Sequence, residues 1–179
     1  MEKTRNSKWG VGVVSTVLAI AMLALVPACA VTEAYAAEPT IENASQYQAA
    51  EFNFDSFAVV RSTDLNEGRV GVGAGVSVFL SRNLGVSVSA LTYDRRERLL
   101  DQADASLVYR VPSDRSAISF FGGAGYDFER DAETIHVGAG VEHRFSQHFG
   151  IFADAKFEKR LSDGENAGVG RVGIRATAF

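Results

Sequence analysis

Val72-Gly73-Ala74-Gly75-Val76, continued through Phe79-Leu80-Ser81 to Leu84-Gly85-Val86, has a second copy in Val137-Gly138-Ala139-Gly140-Val141, continued through Arg144-Phe145-Ser146 to Phe149-Gly150-Ile151. The offset between the copies is 65 residues throughout. In both, apolar residues alternate with Gly, Ser or charge, which is the two-residue period of a strand with unlike faces. A three-residue polar break (Ser81-Arg82-Asn83, Ser146-Gln147-His148) joins the arms of each copy, as in a tight hairpin. The repeat fixes the class as all-β.

Before the repeat lies a segment with the marks of an export leader. Lys3, Arg5 and Lys8 form a basic start, Val11 to Val26 is apolar, and Ala34-Tyr35-Ala36 has the small-x-small form of a cleavage site. Pro27 and the small residues after it cut the apolar stretch short of the roughly 20 residues a spanning helix needs. Val26-Pro27-Ala28-Cys29 loosely resembles a lipobox. The cleaner site at residues 34–36 instead discards Cys29 with the leader, leaving a mature chain without cysteine. The expected organisation is a signal peptide over 1–36, an irregular lead-in over 37–50 with a short helix around Ser45–Ala50, and a barrel over 51–179.

Removing 36 of the 179 residues leaves 143, enough for one domain. The leader carries a net charge of +1, so the rest of the chain carries −5 of the total −4. No basic patch stands out, which argues against a nucleic-acid partner. Fifteen of the 17 glycines lie at or beyond Gly68, and Pro112 is the only proline after Pro39, a balance that suits closely packed strands.

Eight segments of about ten residues carry the alternation, the length that crosses a bilayer at a tilt. They are 51–61, 69–80, 84–93, 103–111, 118–128, 134–145, 149–158 and 167–179. The first has a confused phase, with Phe52 and Phe54 on one face and Phe57 and Val59 on the other. Connections after strands two, four and six are short, and those after one, three, five and seven are longer and more charged, including Asp94 to Arg98. Short inner turns, longer outer loops and an even strand number predict a single eight-stranded antiparallel up-and-down transmembrane β-barrel.

In that barrel the Val/Leu/Ile/Phe face meets lipid and the other face fills the lumen. Eight strands leave room only for side chains. Asp104, Arg110, Glu142, Arg144, Asp154, Lys156 and Glu158 fall on the inner face and are expected to form a structural ion-pair network there, charges being buried only when paired. His136 points with the lumen set, His143 with the apolar set, and His148 sits in a turn, so no metal site is expected. Gly71-x-Gly73-x-Gly75 lacks the spacing and following helix of a nucleotide loop. Nothing marks a catalytic site, and no cofactor is expected.

Gly140-Val141-Glu142-His143-Arg144-Phe145-Ser146-Gln147-His148-Phe149-Gly150, a strand ending in Arg-Phe-Ser and restarting with aromatic-Gly, resembles hairpins of the outer-membrane-protein-A-like and opacity-type barrel families. The resemblance covers about residues 51–179. It implies a porin-like barrel in the outer membrane of a Gram-negative cell, monomeric, non-enzymatic and in contact with outer-membrane lipid. It also implies handling by periplasmic chaperones and the barrel-assembly machinery, with Phe179 as the C-terminal assembly signal. No peptidoglycan-binding domain follows, so that function is not carried over. Phe179 departs from the family pattern: Arg171, Gly173, Arg175 and Thr177 share its phase, while Val172, Ile174, Ala176 and Ala178 lie one residue off. Either a bulge shifts the register near the end, or Phe179 is not the signal. The expected role is envelope structure or surface interaction. The alternatives are a narrow pore and a soluble periplasmic barrel holding a small apolar ligand, with a lipid-active enzyme a more distant third.

Overall fold

The computed structural model describes residues 46–63, 68–93 and 100–179. The leader with Cys29, the first part of the lead-in and the loop at Asp94 to Arg98 lie outside them. Eight strands form one closed antiparallel barrel in chain order: β1 (Glu51–Thr63), β2 (Gly68–Phe79), β3 (Leu84–Thr92), β4 (Gln102–Pro112), β5 (Ser116–Asp127), β6 (Ala132–Ser146), β7 (Phe149–Arg160) and β8 (Asn166–Ala178). β1 closes on β8 from Phe52↔Ala178 to Thr63↔Ala167, so neither edge of the sheet is left unpaired.

The two-residue period sorts every strand. Outward positions such as Val70, Val72, Leu107, Phe120, Val137, Val141, Ile151, Phe157, Val172 and Ile174 are exposed by 39–68%. Inward positions carry the buried polar and charged side chains. The phase of β1 is regular: Phe52 and Phe54 point out, while Phe57 and Val59 are 5% and 0% exposed and join Leu91, Tyr93, Phe152 and Val169 in an apolar cluster inside. Both faces of β1 are apolar at its centre, which is why the alternation there could not be read from hydrophobicity.

Three expectations are corrected. Residues 46–50 are not helical; they form an irregular segment ending in Ala50 at φ 57°. A segment this short has too few residues to offset the cost of helix nucleation, and its Tyr47 is held inside the barrel mouth. The register of β8 is continuous to its end, and the bulge lies in β6 instead, where pairing with β7 skips Phe145 between Arg144 and Ser146. Phe179 stands just past β8, half-exposed, its ring edge-on to His148 at 5.7 Å. The contrast between connections is also weaker than the sequence suggests. Those after β2, β4 and β6 span 80–83, 113–115 and 147–148. The one after β3 spans 93–101 and is the longest, as expected, but those after β1, β5 and β7 span only 64–67, 128–131 and 161–165, because the strands run further than their apolar residues do.

The repeated hairpins become β2–β3 and β6–β7, on opposite walls of the barrel. Their matching glycines have a matching task. A Cβ on Gly73 would lie 2.6 Å from Phe57 Cζ, and one on Gly138 would lie 2.6 Å from Phe121 Cζ and 2.5 Å from the Ala155 carbonyl oxygen. Each glycine is the seat for an inward phenyl ring. Gly138→Val is therefore expected to destabilise the barrel by about 1–3 kcal/mol through overpacking, seen as a lower urea midpoint for loss of the folded form. An unchanged midpoint would show that the Phe121 ring has freedom to move aside.

Candidate functional site

The barrel interior is where the charged residues gather. Among the described residues, seven strand carboxylates (Glu51, Asp55, Asp104, Asp127, Glu142, Asp154, Glu158) and seven strand cations (Arg61, Arg110, Arg144, Lys156, Arg160, Arg171, Arg175) make ion pairs with side chains no more than 15% exposed. They fall into three groups along the barrel axis rather than one network.

At the end where β2 meets β3, β1 begins and β8 ends, Glu51 accepts from both Arg110 (Nη1, 2.8 Å) and Arg144. Arg144 Nε also donates to Glu142 Oε1 at 2.6 Å, and Glu142 pairs with Arg175. Arg175 grips Asp55 with two parallel bonds of 2.7 and 2.8 Å, directly across the β1–β8 seam. Asn53 adds to the seam by accepting from Thr177 Oγ1 at 2.7 Å. Such fork-on-carboxylate geometry fixes register as well as charge.

At mid-barrel, Arg171 holds Asp154 by two bonds of 2.8 and 3.0 Å and lies over the rings of Phe57 (5.1 Å) and Phe121 (5.6 Å). Phe57 meets Phe152 edge-to-face at 6.2 Å. At the opposite end, Lys156 bridges Asp104 (2.7 Å) and Glu158 (3.0 Å). Arg61 joins Glu158 to Asp127, and Gln102 donates to both Glu158 and Asp104. Arg160 reaches from the lumen to Asp163 and Glu165 in the β7–β8 loop.

All seven residues singled out from sequence point inward, but they are divided among these groups. Arg110, Glu142 and Arg144 lie at the turn end, Asp154 at the middle, and Asp104, Lys156 and Glu158 toward the loops. Sequence reasoning missed half of the fourteen: Glu51, Asp55, Arg61, Asp127, Arg160, Arg171 and Arg175. Their signal was parity. Glu51, Asn53, Asp55 and Arg61 share one phase in β1, as Arg171, Arg175 and Thr177 do in β8. The histidines stand apart from one another: His136 bonds Ser106 Oγ at 2.7 Å inside, His143 bonds Ser116 Oγ at 3.0 Å outside, and His148 faces the Thr177 carbonyl oxygen at 3.1 Å in a turn.

Between the turn-end and middle groups lies a cavity of about 50 Å³ lined by Asp55, Ser77, Ser87, Arg110, Glu142, Arg171 and Arg175 among others. That is above the ~10–15 Å³ a cavity needs to admit a water molecule. The outer membrane protein OprG from Pseudomonas aeruginosa superposes with a TM-score of 0.54 at 10% identity, covering 75% of this chain and 99% of that one. The N-terminal β-barrel domain of Pseudomonas aeruginosa OprF gives 0.55 at 13% identity, over 73% and 99%.

This is the fold of the small outer-membrane β-barrels.

Ail, the attachment invasion locus protein of Yersinia pestis, shares it at a TM-score of 0.50 and 18% identity, over 73% of this chain and 99% of that one. No family model and no curated protein matches the sequence. In an outer-membrane-type barrel of this size the lumen is filled by side chains, and the three ion-pair groups with the Phe57, Phe121 and Phe152 rings fill this one.

Proposed function

We propose that the chain is a non-enzymatic outer-membrane β-barrel that serves envelope structure or surface interaction. One observation carries the reading: the closed wall is apolar on its outside, with Val, Leu, Ile and Phe exposed, and fully paired charge on its inside. In water that arrangement exposes a large apolar surface and buries charge at a cost. In a bilayer the same arrangement faces apolar side chains to lipid and satisfies every backbone group through ring closure. The lumen is filled by side chains, and ion pairs on both sides of the 50 Å³ cavity favour a plugged barrel over a conducting one. Outer-membrane lipid and the assembly machinery are the partners this reading requires.

The test is the membrane fraction on SDS gels with and without boiling. A faster unboiled band that slows on heating is expected of a closed, detergent-resistant barrel. A single unshifted band, with the protein in the periplasmic wash, sinks the membrane reading. A variant sharpens the result: Val137, two residues from the centre of β6, points outward and is 62% exposed. In a bilayer Val137→Arg should cost about 2–4 kcal/mol near the midplane, whereas at a water-facing site it should stay within about 0.5 kcal/mol. Urea unfolding in lipid vesicles separates the two.

A further inference from the structure

Gln46 to Ala50 belongs to no strand, yet it crosses the turn-end mouth of the barrel and is fastened there from three sides. Tyr47 is 2% exposed, its ring between the guanidinium groups of Arg110 at 4.6 Å and Arg144 at 4.1 Å. Its hydroxyl donates to the Arg115 carbonyl oxygen in the β4–β5 turn at 3.4 Å. Arg144 Nη1 donates to the Gln46 carbonyl oxygen at 2.6 Å, and the Gln48 amide donates to Glu51 Oε2 at 3.3 Å. Burial also pushes the Tyr47 phenol well above its ordinary pKa, so the ring stays neutral between its two cations. Ala50 at φ 57° makes the bend that turns the chain from β1 back into the mouth.

Two features distinguish this segment from the rest of the filling. Cation–ring contacts and single hydrogen bonds hold it, with no strand ladder, so it can leave without unpairing the sheet. Behind it, beyond the cluster of Glu51, Arg110, Arg144 and Glu142, lies the cavity, whose wall includes Arg110 and Glu142 but no residue of the segment itself. On the cavity's far side the Arg171–Asp154 pair and the rings of Phe57, Phe121 and Phe152 close the barrel.

We propose that residues 46–50 are a removable strap that pins Arg110 and Arg144 across the turn side of this cavity, and that displacing Tyr47 frees those side chains and opens the cavity to water and small polar solutes. The strap makes the cavity a vestibule with one door. The door lies at the turn end of the barrel, beside the start of β1.

The experiment places a thiol in the cavity as Ser87→Cys in the full chain, with Cys29→Ser so that the probe is the sole thiol. Its reaction with a small water-soluble methanethiosulfonate is timed by mass in detergent micelles, where the outcome does not depend on the outer-membrane reading. Access governs thiol reactivity, so Tyr47→Ala is expected to speed labelling about tenfold or more, while Tyr47→Phe, which keeps the ring, leaves it slow. The heat shift on gels should persist in both. Equal rates with and without the ring overturn the proposal. So does loss of the heat shift in Tyr47→Ala, because the ring would then be part of the core and not a removable strap.

Discussion

Replacing Glu51 with leucine is expected to destabilise the barrel by about 3–5 kcal/mol, the cost of stripping the partner from a buried charge. Glu51 is fully buried and is the shared acceptor of Arg110 and Arg144, which are themselves 1% and 0% exposed. Without it two guanidinium groups face one another across the turn-end mouth. Arg144 keeps Glu142, but Arg110 keeps neutral neighbours: the Arg82 carbonyl oxygen at 3.2 Å and the rings of Phe79 at 3.7 Å and Tyr47 at 4.6 Å. Tyr47 also sits against both arginines, so the strap loosens with them. The check is the urea midpoint at which the heat-shifted band disappears in lipid vesicles. A midpoint close to that of the parent chain would mean that the arginines turn to water at the mouth and that the Glu51 knot contributes little.

The second large effect is expected at Lys156. Its ammonium stands between Asp104 and Glu158, and all three side chains are 1–4% exposed. Lys156→Met leaves two buried carboxylates near each other, at about 3–5 kcal/mol. Glu158 retains Arg61, whereas Asp104 retains the neutral Gln102 amide and the His136 ring at 4.0 Å. The informative comparison is the double variant Lys156→Met with Asp104→Leu. Removing the stranded carboxylate together with its cation should recover much of the loss, giving a coupling between the two sites of about 0.5–3 kcal/mol. Strict additivity of the two single effects in the same urea titration would show that Lys156 and Asp104 do not act as a pair.

The strand count, the antiparallel order and the inward direction of Asp104, Arg110, Glu142, Arg144, Asp154, Lys156 and Glu158 were legible because each follows from parity along a strand. The partners were less legible. In β1 the inward Phe57 and Val59 interrupt the polar parity of Glu51, Asn53, Asp55 and Arg61, and hydrophobicity alone cannot say that a phenyl ring belongs inside a polar lumen. It belongs there because Gly73 and Gly173 leave the space, Gly173 so closely that an added Cβ would meet Phe57 Cβ at 2.7 Å. That is a cross-strand fact which needs the register. In β8 the parity of Arg171, Arg175 and Thr177 was visible, but their agreement in phase with Phe179 drew attention to the end of the chain instead. Tyr47 lay beyond any periodic signal, since an irregular segment held by two arginines from distant strands has no pattern of its own.

The equal numbers of opposite charges inside the barrel have an electrical consequence. Seven against seven, each within bonding distance of its opposite, sum to zero and nearly cancel locally, so the lumen radiates only a short-ranged multipole field. An ion or headgroup approaching from either side therefore senses the rims and not the filling. Salt in the medium, which screens exposed charges over about 8–10 Å, acts on rim pairs such as Arg69–Glu129 and Arg130–Glu165 and leaves the interior untouched. The barrel is an insulated rod with its electrostatic identity written at its two ends, and evolution of those ends can recharge the surface without rewiring the interior.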